Sequence, residues 1–332
     1  MKLLFIVDPL PEIQTYKDTS FAMMVEAAAR GHELHFSLQE GILWKGGRVI
    51  AEHHRLHIVD GEKYLGNPNR HDQHWHRLDR PPRETPVVEF DAVLLRKDPP
   101  FDMEYVTSTW LLERAVAEGA RVYNDPRAIR DHSEKLAIAE FPALTVPTLV
   151  SRLEGQLQEF IAAHADVVLK PLDGMGGAGV FRVVEADPNR NVIVETLTRH
   201  GTRTIMAQRY IPEIRDGDKR VLLIGGQLVP YCLARIPKAG ESRGNLAAGA
   251  TGVAQALTAR DREIGATLGA KLASRGLLLV GLDVIGDWLT EVNVTSPTCF
   301  QEITQQTGFN VAGMFLDALE AVVGSPHSPR GP

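Results

Sequence analysis

Lys170-Pro171-Leu172-Asp173-Gly174-Met175-Gly176-Gly177-Ala178-Gly179-Val180 runs directly into Phe181-Arg182-Val183-Val184. Gly174, Gly176 and Gly179 satisfy a G-x-G-x-x-G spacing, which in a dinucleotide site must open a helix. Here the residues that follow alternate as a β-strand does, so the dinucleotide reading fails on context. The G-K-[S/T] ending of a phosphate-binding P-loop is also missing. What remains is a glycine loop joining two antiparallel strands, with Lys170 at the end of the first. Backbone N–H groups in such a loop can approach phosphate oxygens because no Cβ intervenes, and Lys170 adds a point charge nearby. On the loop alone, a flexible hairpin turn reads equally well.

Upstream, residues 1–123 alternate strand and helix. Leu3–Val7, Glu33–Ser37, Val87–Arg96 and Ala120–Tyr123 read as strands, and Val106–Glu118 as a helix ending at Gly119. Ser20 is placed to cap a helix that carries Phe21, Met24, Val25 and Ala28 at helical spacing and ends at Gly31. This alternation predicts a mostly parallel, helix-covered sheet whose ligands sit beyond the strand ends, where Asp8 and Arg96-Lys97-Asp98 fall. One stretch breaks the pattern: six of the chain's 12 histidines lie between His53 and His76. His74 and His76 would share a strand face as metal ligands do. No carboxylate or cysteine spacing completes such a site, so the segment reads as a solvated loop or edge hairpin whose imidazoles titrate freely.

Residues 124–200 read as a smaller α+β unit, with helices at Ser133–Phe141 and Arg152–His164 and a strand at Asp166–Lys170. Residues 201–323 carry the strands Thr204–Tyr210, Lys219–Ile224 and Gln227–Ile236. A helix at Asp261–Arg275, a strand pair at Leu277–Val294 and one final helix follow. The tail 324–332 is rich in Pro, Gly and Ser and reads as disordered.

Within the strand pair, alternation sets Glu291 and Asn293 on one face. Asp283 joins them if the connecting loop is odd in length, as Gly286-Asp287-Trp288 would be; a two-residue turn would turn Asp283 away. The odd loop is the expectation. Two carboxylates and an amide oxygen among Leu and Val are costly to bury without a cation, and oxygen donors of this type suit Mg²⁺ that also meets substrate phosphates. Arg220 and Arg235, on neighbouring strands, are placed to point into one cleft. The segment from Lys238 to Gly249, with Arg243 and Asn245, reads as a flap that excludes water or as a surface loop.

Composition sets outer limits. The chain has 332 residues, 44% hydrophobic and 23% charged, with 36 Lys plus Arg against 42 Asp plus Glu for a net charge of −6. That length suits two or three domains, and the acidic balance disfavours general nucleic-acid binding. No run reaches the ~20 apolar residues of a membrane span. Two cysteines, Cys232 and Cys299, make no disulfide framework and fit the reducing cytoplasm; both read as packing rather than nucleophiles.

With these pieces in place, the chain resembles the bacterial glutathione synthetase family of the ATP-grasp superfamily, from Met1 to about Val323. The resemblance is densest in Arg96–Asp102 (RKDPPFD), Lys170–Ala178 (KPLDGMGGA), Asp216–Val221 (DGDKRV), Tyr231–Pro237 (YCLARIP), Arg243–Gly249 (RGNLAAG) and Thr290–Cys299 (TEVNVTSPTC). It implies an α/β protein of ATP-grasp fold: an N-terminal Rossmann-like (pre-ATP-grasp) domain over 1–123, a central lid over 124–200, and a C-terminal antiparallel-sheet domain over 201–323. It implies that Lys135 and Lys170 hold ATP phosphates beneath the Gly174, Met175, Gly176 and Gly177 loop. Gln208, Tyr210 and Ile211 would meet adenine, and Asp218 is carried over to the nucleotide side. Asp283, Glu291 and Asn293 would bind Mg²⁺ or Mn²⁺. Arg220, Arg235, Arg243 and Asn245 would serve the reacting centre, and Arg96 and Lys97 the substrate carboxylates. The implied reaction phosphorylates γ-glutamylcysteine with ATP and joins it to glycine, in a homotetramer without nucleic-acid or membrane partners. The other readings are a D-alanine or glutamate ligase of the same superfamily, or an inactive nucleotide-binding regulator.

Overall fold

The structure is a computed structural model and describes residues 1–332 except 71, 239–243, 245, 247–248 and 326–332. The flap residues Arg243 and Asn245, and all but the start of the 324–332 tail, therefore lie outside the described residues.

Eight strands build the first sheet: β1 (Lys2–Ile6), β2 (Glu33–Ser37), β3 (Ile42–Lys45), β4 (Arg48–Ile58), β5 (His76–Leu78), β6 (Arg83–Pro86), β7 (Ala92–Leu95) and β8 (Val122–Tyr123). Its centre is parallel as expected, with β1 between β2 and β7 and β8 beside β7. The His-rich region adds antiparallel strands at one edge through β4. Helices α1 (Thr19–Ala29) and α2 (Met103–Ala117) follow, then the short α3 (Pro126–Asp131). Asp18, not Ser20, caps α1, its side-chain oxygen accepting from the Phe21 N–H at 2.6 Å and satisfying one of the free donors of the first turn. The strand expected over Val87–Arg96 is shorter, because a 3₁₀ turn at Val87–Glu89 precedes β7.

The second sheet has the order β11-β10-β12-β9, from β9 (Thr148–Ser151), β10 (Asp166–Pro171), β11 (Phe181–Val184) and β12 (Ile205–Arg209), backed by α4 (Glu154–His164) and α5 (Arg190–Thr198). The glycine loop joins the antiparallel pair β10 and β11. The strand Thr204–Tyr210, grouped above with the C-terminal segment, belongs here instead, pairing with both β10 and β9. Alternation shows that a strand exists but not which sheet receives it.

The third sheet is antiparallel throughout, β15-β14-β13-β16-β17, from β13 (Asp218–Ile224), β14 (Gln227–Ile236), β15 (Thr251–Ala256), β16 (Leu279–Ile285) and β17 (Trp288–Asn293). Helix α6 (Ala259–Ser274) starts at a reciprocal Thr258–Asp261 capping box. The single final helix proves to be two, α7 (Phe300–Thr307) and α8 (Val311–Gly324). Gly308, at φ 75°, ends the first, and the Asn310 side chain accepts from Gly313 N–H to start the second.

The cores explain how these layers associate. Leu3 and Phe5 of the first sheet share one buried cluster with Leu222, Phe300 and Phe315, while Leu4 and Ile6 share another with Val221, Leu282 and Val292. The first and third sheets are thus fused through apolar packing. The second keeps its own core of Leu157, Ile161, Val167, Leu169, Val183, Val194, Leu197, Ile205 and Ala207. That sheet also lends Met206 of β12 to the cluster of Leu4 and Ile6. Its opposite face looks across a cleft at the third sheet.

Candidate active site

That cleft holds a cavity of about 300 Å³. Val168, Lys170 and Gln208 line it from the second sheet, and Asp218, Arg220, Arg235, Asp283, Glu291 and Asn293 from the third; the glycine loop and Asp98 of the first domain complete it.

The third sheet contributes two adjacent rungs. One runs Leu233–Arg220–Asp283–Glu291 across β14, β13, β16 and β17, and the next carries Arg235 opposite Asp218. Arg220 and Arg235 therefore do share a cleft. The route by which Asp283 meets Glu291 differs from the expectation. The turn has two residues, Gly286-Asp287, with Ile285 opposite Trp288, which would set Asp283 on the wrong face. A β-bulge at Thr290 inserts the compensating residue, so Asp283 pairs with Glu291 and Gly281 with Asn293. Such bulges re-aim side chains beside active sites, and this one is tied down on both sides. Thr290 Oγ1 donates to the Asp283 carbonyl at 3.1 Å, and the Thr290 carbonyl accepts from Lys170 Nζ at 3.3 Å.

Gly281, in mid-strand, is required by Arg220. A Cβ there would stand 2.9 Å from the Arg220 Cδ. The guanidinium laid over it reaches Asp283 Oδ1 at 2.7 Å, while Arg235 reaches Asp283 Oδ2 at 3.0 Å and Asp218 Oδ2 at 2.5 Å. Burial alone would raise the Asp283 carboxyl, but the two guanidiniums outweigh it and hold it well below the usual carboxylate range. Asp218 goes the other way: burial pushes it up to about 6 against the pull of Arg235. Its Oδ1 is buried without a hydrogen-bond partner.

Across the cleft, Lys135 Nζ donates to the Gly174 carbonyl and to Glu291 Oε1 at 3.0 Å, linking the glycine loop to the carboxylates. Ser133–Phe141, expected as a helix, holds only a 3₁₀ segment, Leu136–Glu140. The Glu134 carbonyl is not available to a regular helix because it accepts from the Val292 N–H of β17. Lys170 is buried, and burial pulls its ammonium pKa down against the attraction of Glu291. Gly174 lies where a Cβ would meet the Pro171 ring at 2.8 Å and the Ala178 carbonyl at 3.0 Å, so the loop folds back on itself only with glycine there. Gly176, at φ 62°, and Gly177, at φ 81°, adopt the left-handed backbone.

Gln208, Tyr210 and Ile211 line the cavity, and so does Arg182, which the sequence reading passed over. Its guanidinium is held by both Asp166 oxygens, at 3.0 and 2.7 Å, and sits 3.7 Å from the Tyr210 ring centroid. Glu134 and the loop Thr295–Cys299 also line the cavity, the latter inside the Thr290–Cys299 block that carries the family resemblance.

Arg96 and Lys97 do not join the cavity wall. Arg96 is buried and donates to Ser20 Oγ at 3.1 Å and to the Pro297 carbonyl at 2.8 Å; Lys97 pairs with Asp8 at 2.7 Å. Asp98, next in sequence, does reach the cavity and accepts from Ser296 Oγ at 2.7 Å. Both cysteines are free and buried. Burial pushes the Cys232 thiol up to about 12 and raises that of Cys299, so neither is poised as a thiolate.

The donor set fits a hard divalent cation. Two carboxylates and an amide face one another on one side of a hairpin, and each ionised carboxylate keeps lone pairs beyond those its cationic neighbours use. Of the six cationic side chains that line the cavity among the described residues, Lys135, Lys170, Arg220 and Arg235 surround this space, which suits a polyphosphate better than a neutral ligand.

Comparison with known proteins agrees with this chemistry. Residues 1–130 match the family Prokaryotic glutathione synthetase, N-terminal domain, and residues 134–308 match Prokaryotic glutathione synthetase, ATP-grasp domain. Glutathione synthetase of Ralstonia nicotianae is 61% identical over 331 residues, 100% of this chain and 99% of the relative. That of Pseudomonas aeruginosa is 50% identical, over 97% of this chain and 98% of the relative. Among solved structures, D-cycloserine synthetase DcsG has a TM-score of 0.63 at 16% identity, over 97% of this chain and 99% of that one. The ATP-grasp ligase PsnB, complexed with minimal precursor, Mg and ADP, has a TM-score of 0.60 at 17% identity, over 97% and 98%. These two likenesses concern the fold, which is ATP-grasp; the two relatives, both glutathione synthetases, support glutathione synthesis over the D-alanine ligase, glutamate ligase and inactive-regulator readings. The chain belongs to the prokaryotic glutathione synthetases, ATP-dependent ligases of glutathione synthesis.

Proposed function

We propose that the cavity activates the C-terminal carboxylate of γ-glutamylcysteine as an acyl phosphate and passes the acyl group to the amine of glycine. A carboxylate does not acylate an amine at neutral pH because oxide is a very poor leaving group; phosphate is a good one. Lys135 and Lys170 bind the ATP phosphates, and the Gly174–Gly177 backbone covers them. Gln208, Tyr210 and Ile211 receive the adenine, with Asp218 on the nucleotide side. Arg220 and Arg235 stabilise the acyl phosphate and then the oxyanion of the tetrahedral intermediate. Asp283, Glu291 and Asn293 would hold Mg²⁺ or Mn²⁺, which supplies charge neutralisation on the β- and γ-phosphates. Arg96 and Lys97, off the cavity wall, brace the loops of Pro297 and Asp8 and serve the substrate end through those loops, without direct contact with its carboxylates. Arg243 and Asn245 exclude water from the acyl phosphate, which would otherwise hydrolyse.

The observation that carries this reading is the pairing of Asp283 with Glu291 across the bulged hairpin, facing the two lysines over one cavity. Phosphate release from ATP tests it, with γ-glutamylcysteine and glycine supplied singly and together. Release that needs both is expected; release with D-alanine or glutamate in place of glycine, or none, would overturn it. The same family resemblance supports a homotetramer in the cytoplasm, consistent with two free thiols; mass measurement in solution checks the subunit count.

A further inference from the structure

We propose that Glu134 is a positioning residue, holding the end of β17 and the loop beyond it so that Glu291 and Asn293 stand in register for the divalent ion. The proposal rests on the reading of the metal site given above.

β17 is the last strand of its sheet, paired only with β16 among the described residues. The bulge at Thr290 interrupts even that ladder, leaving three pairs beyond it: Asp283–Glu291, Leu282–Val292 and Gly281–Asn293. A one-residue slip in so short a run would turn Glu291 and Asn293 to the opposite face. Glu134 supplies the missing edge. Its carbonyl accepts from Val292 N–H at 2.9 Å, as a neighbouring strand would. Its Oε1 accepts from Val294 N–H at 2.9 Å, Thr295 N–H at 3.1 Å and Thr295 Oγ1 at 2.9 Å. Three donors on one buried carboxyl oxygen form a directional anchor. Lys135, the next residue, takes Glu291 Oε1 at 3.0 Å. One dipeptide thus fixes the backbone of the strand and the carboxylate it carries.

The anchor also fixes the loop that follows. Thr295–Cys299 lines the cavity, and Ser296 and Pro297 are tied to Asp98 and Arg96. Glu134 holds the near end of that loop. Asn124 independently binds the Val294 carbonyl at 2.7 Å, so the strand end stays attached when the Glu134 carboxylate is removed. Loss of Glu134 is therefore local loosening rather than unfolding.

The test compares E134A, E134D and E134Q with the unaltered chain in three measurements: amide hydrogen exchange of residues 292–295, Mn²⁺·ADP affinity by electron paramagnetic resonance, and kcat. In E134A and E134D the exchange at Val294 and Thr295 accelerates, and Mn²⁺·ADP affinity and kcat each fall about 10–100-fold. Metal-free ADP still binds within about twofold. E134Q keeps the acceptor oxygen and restores both protection and metal affinity to within about fivefold. Aspartate keeps the charge but withdraws the oxygen, so the E134D–E134Q pair decides the matter even if E134A does not fold. Mn²⁺·ADP affinity unchanged in E134A or E134D overturns the proposal. So does an E134Q that regains protection without regaining affinity, since charge and not position would then be at work. An unaltered chain that takes up no Mn²⁺·ADP would overturn the metal-site reading itself, an outcome distinct from variants that match a metal-binding parent.

Discussion

Two regions of this molecule collect titratable side chains on adjacent strands, and they do opposite things with them. In the first sheet, His35 of β2 and His53 of β4 are buried with Nδ1 atoms 3.0 Å apart. Glu33 accepts from His35 Nε2 at 2.8 Å, and Thr85 Oγ1 bonds His53 Nε2 at 2.8 Å. One assignment satisfies the whole chain: His53 Nδ1–H donates to His35 Nδ1, and Thr85 donates to His53. Both rings then stay neutral, and burial lowers both pKa values, that of His53 to about 4. Every polar atom of this network is spent on another. In the third sheet, Arg220, Arg235, Asp218 and Asp283 are also buried, yet their ion pairs stand beside an open cavity. A cluster becomes a site when its polar atoms face a space that a ligand can fill. The conspicuous histidines do not do this, whereas the less conspicuous carboxylates do.

The largest effect expected from this contrast is in the third sheet. Glu291→Gln removes one of the two charges facing the ion while keeping the shape, and kcat should fall about 100-fold or more with the fold intact. Near-normal turnover at ordinary Mg²⁺, followed by phosphate release, would remove Glu291 from the metal site. Next comes Lys170→Ala. Loss of a buried charge-assisted bond to phosphate should weaken nucleotide binding about 10–100-fold, read as Kd by calorimetry. An unchanged Kd would detach Lys170 from the cavity's chemistry, and the third sheet would then resemble the first more than it differs from it.

The contrast also explains what could be read from the sequence. The parallel strands of the first sheet were legible because strands buried on both faces read as short continuous apolar runs between helical segments, as Leu3–Ile6 and Ala92–Leu95 do. The glycine loop was legible because the strand after it excludes the helix that other phosphate loops need. Asp283, Glu291 and Asn293 were identified as a set, but by the wrong geometry. The turn is shorter than expected and Thr290 bulges, two errors of one residue that cancel. A bulge depends on hydrogen bonds from outside the hairpin, here Lys170 to the Thr290 carbonyl, and pattern along the strand does not record them. Glu134 was invisible for a similar reason: half of its contribution is a backbone carbonyl, which any residue type would supply. Arg96 misled in the other direction, since a buried arginine bonded to Ser20 and Pro297 looks in sequence like one awaiting a carboxylate.

The smallest effect belongs to the closed network and concerns stability rather than catalysis. His53 has a folded pKa of about 4, below its ordinary value of 6.5. Between those values the unfolded chain binds a proton that the folded chain does not, so stability falls as the pH drops from about 6.5 to 4 and no further below that. His53→Gln retains a side chain able to bond His35 and Thr85 but cannot titrate. The variant should lose less stability over that window, by on the order of 2 kcal/mol, while His35 continues to contribute its own share. Urea unfolding at pH 7 and pH 4.5 measures the difference. Turnover per folded molecule at neutral pH should stay within about twofold, because no atom of the network lines the cavity. An unchanged pH slope would mean that His53 exchanges protons in the folded state as readily as in the unfolded one, and the distinction between a closed cluster and an open one would have to rest on geometry alone.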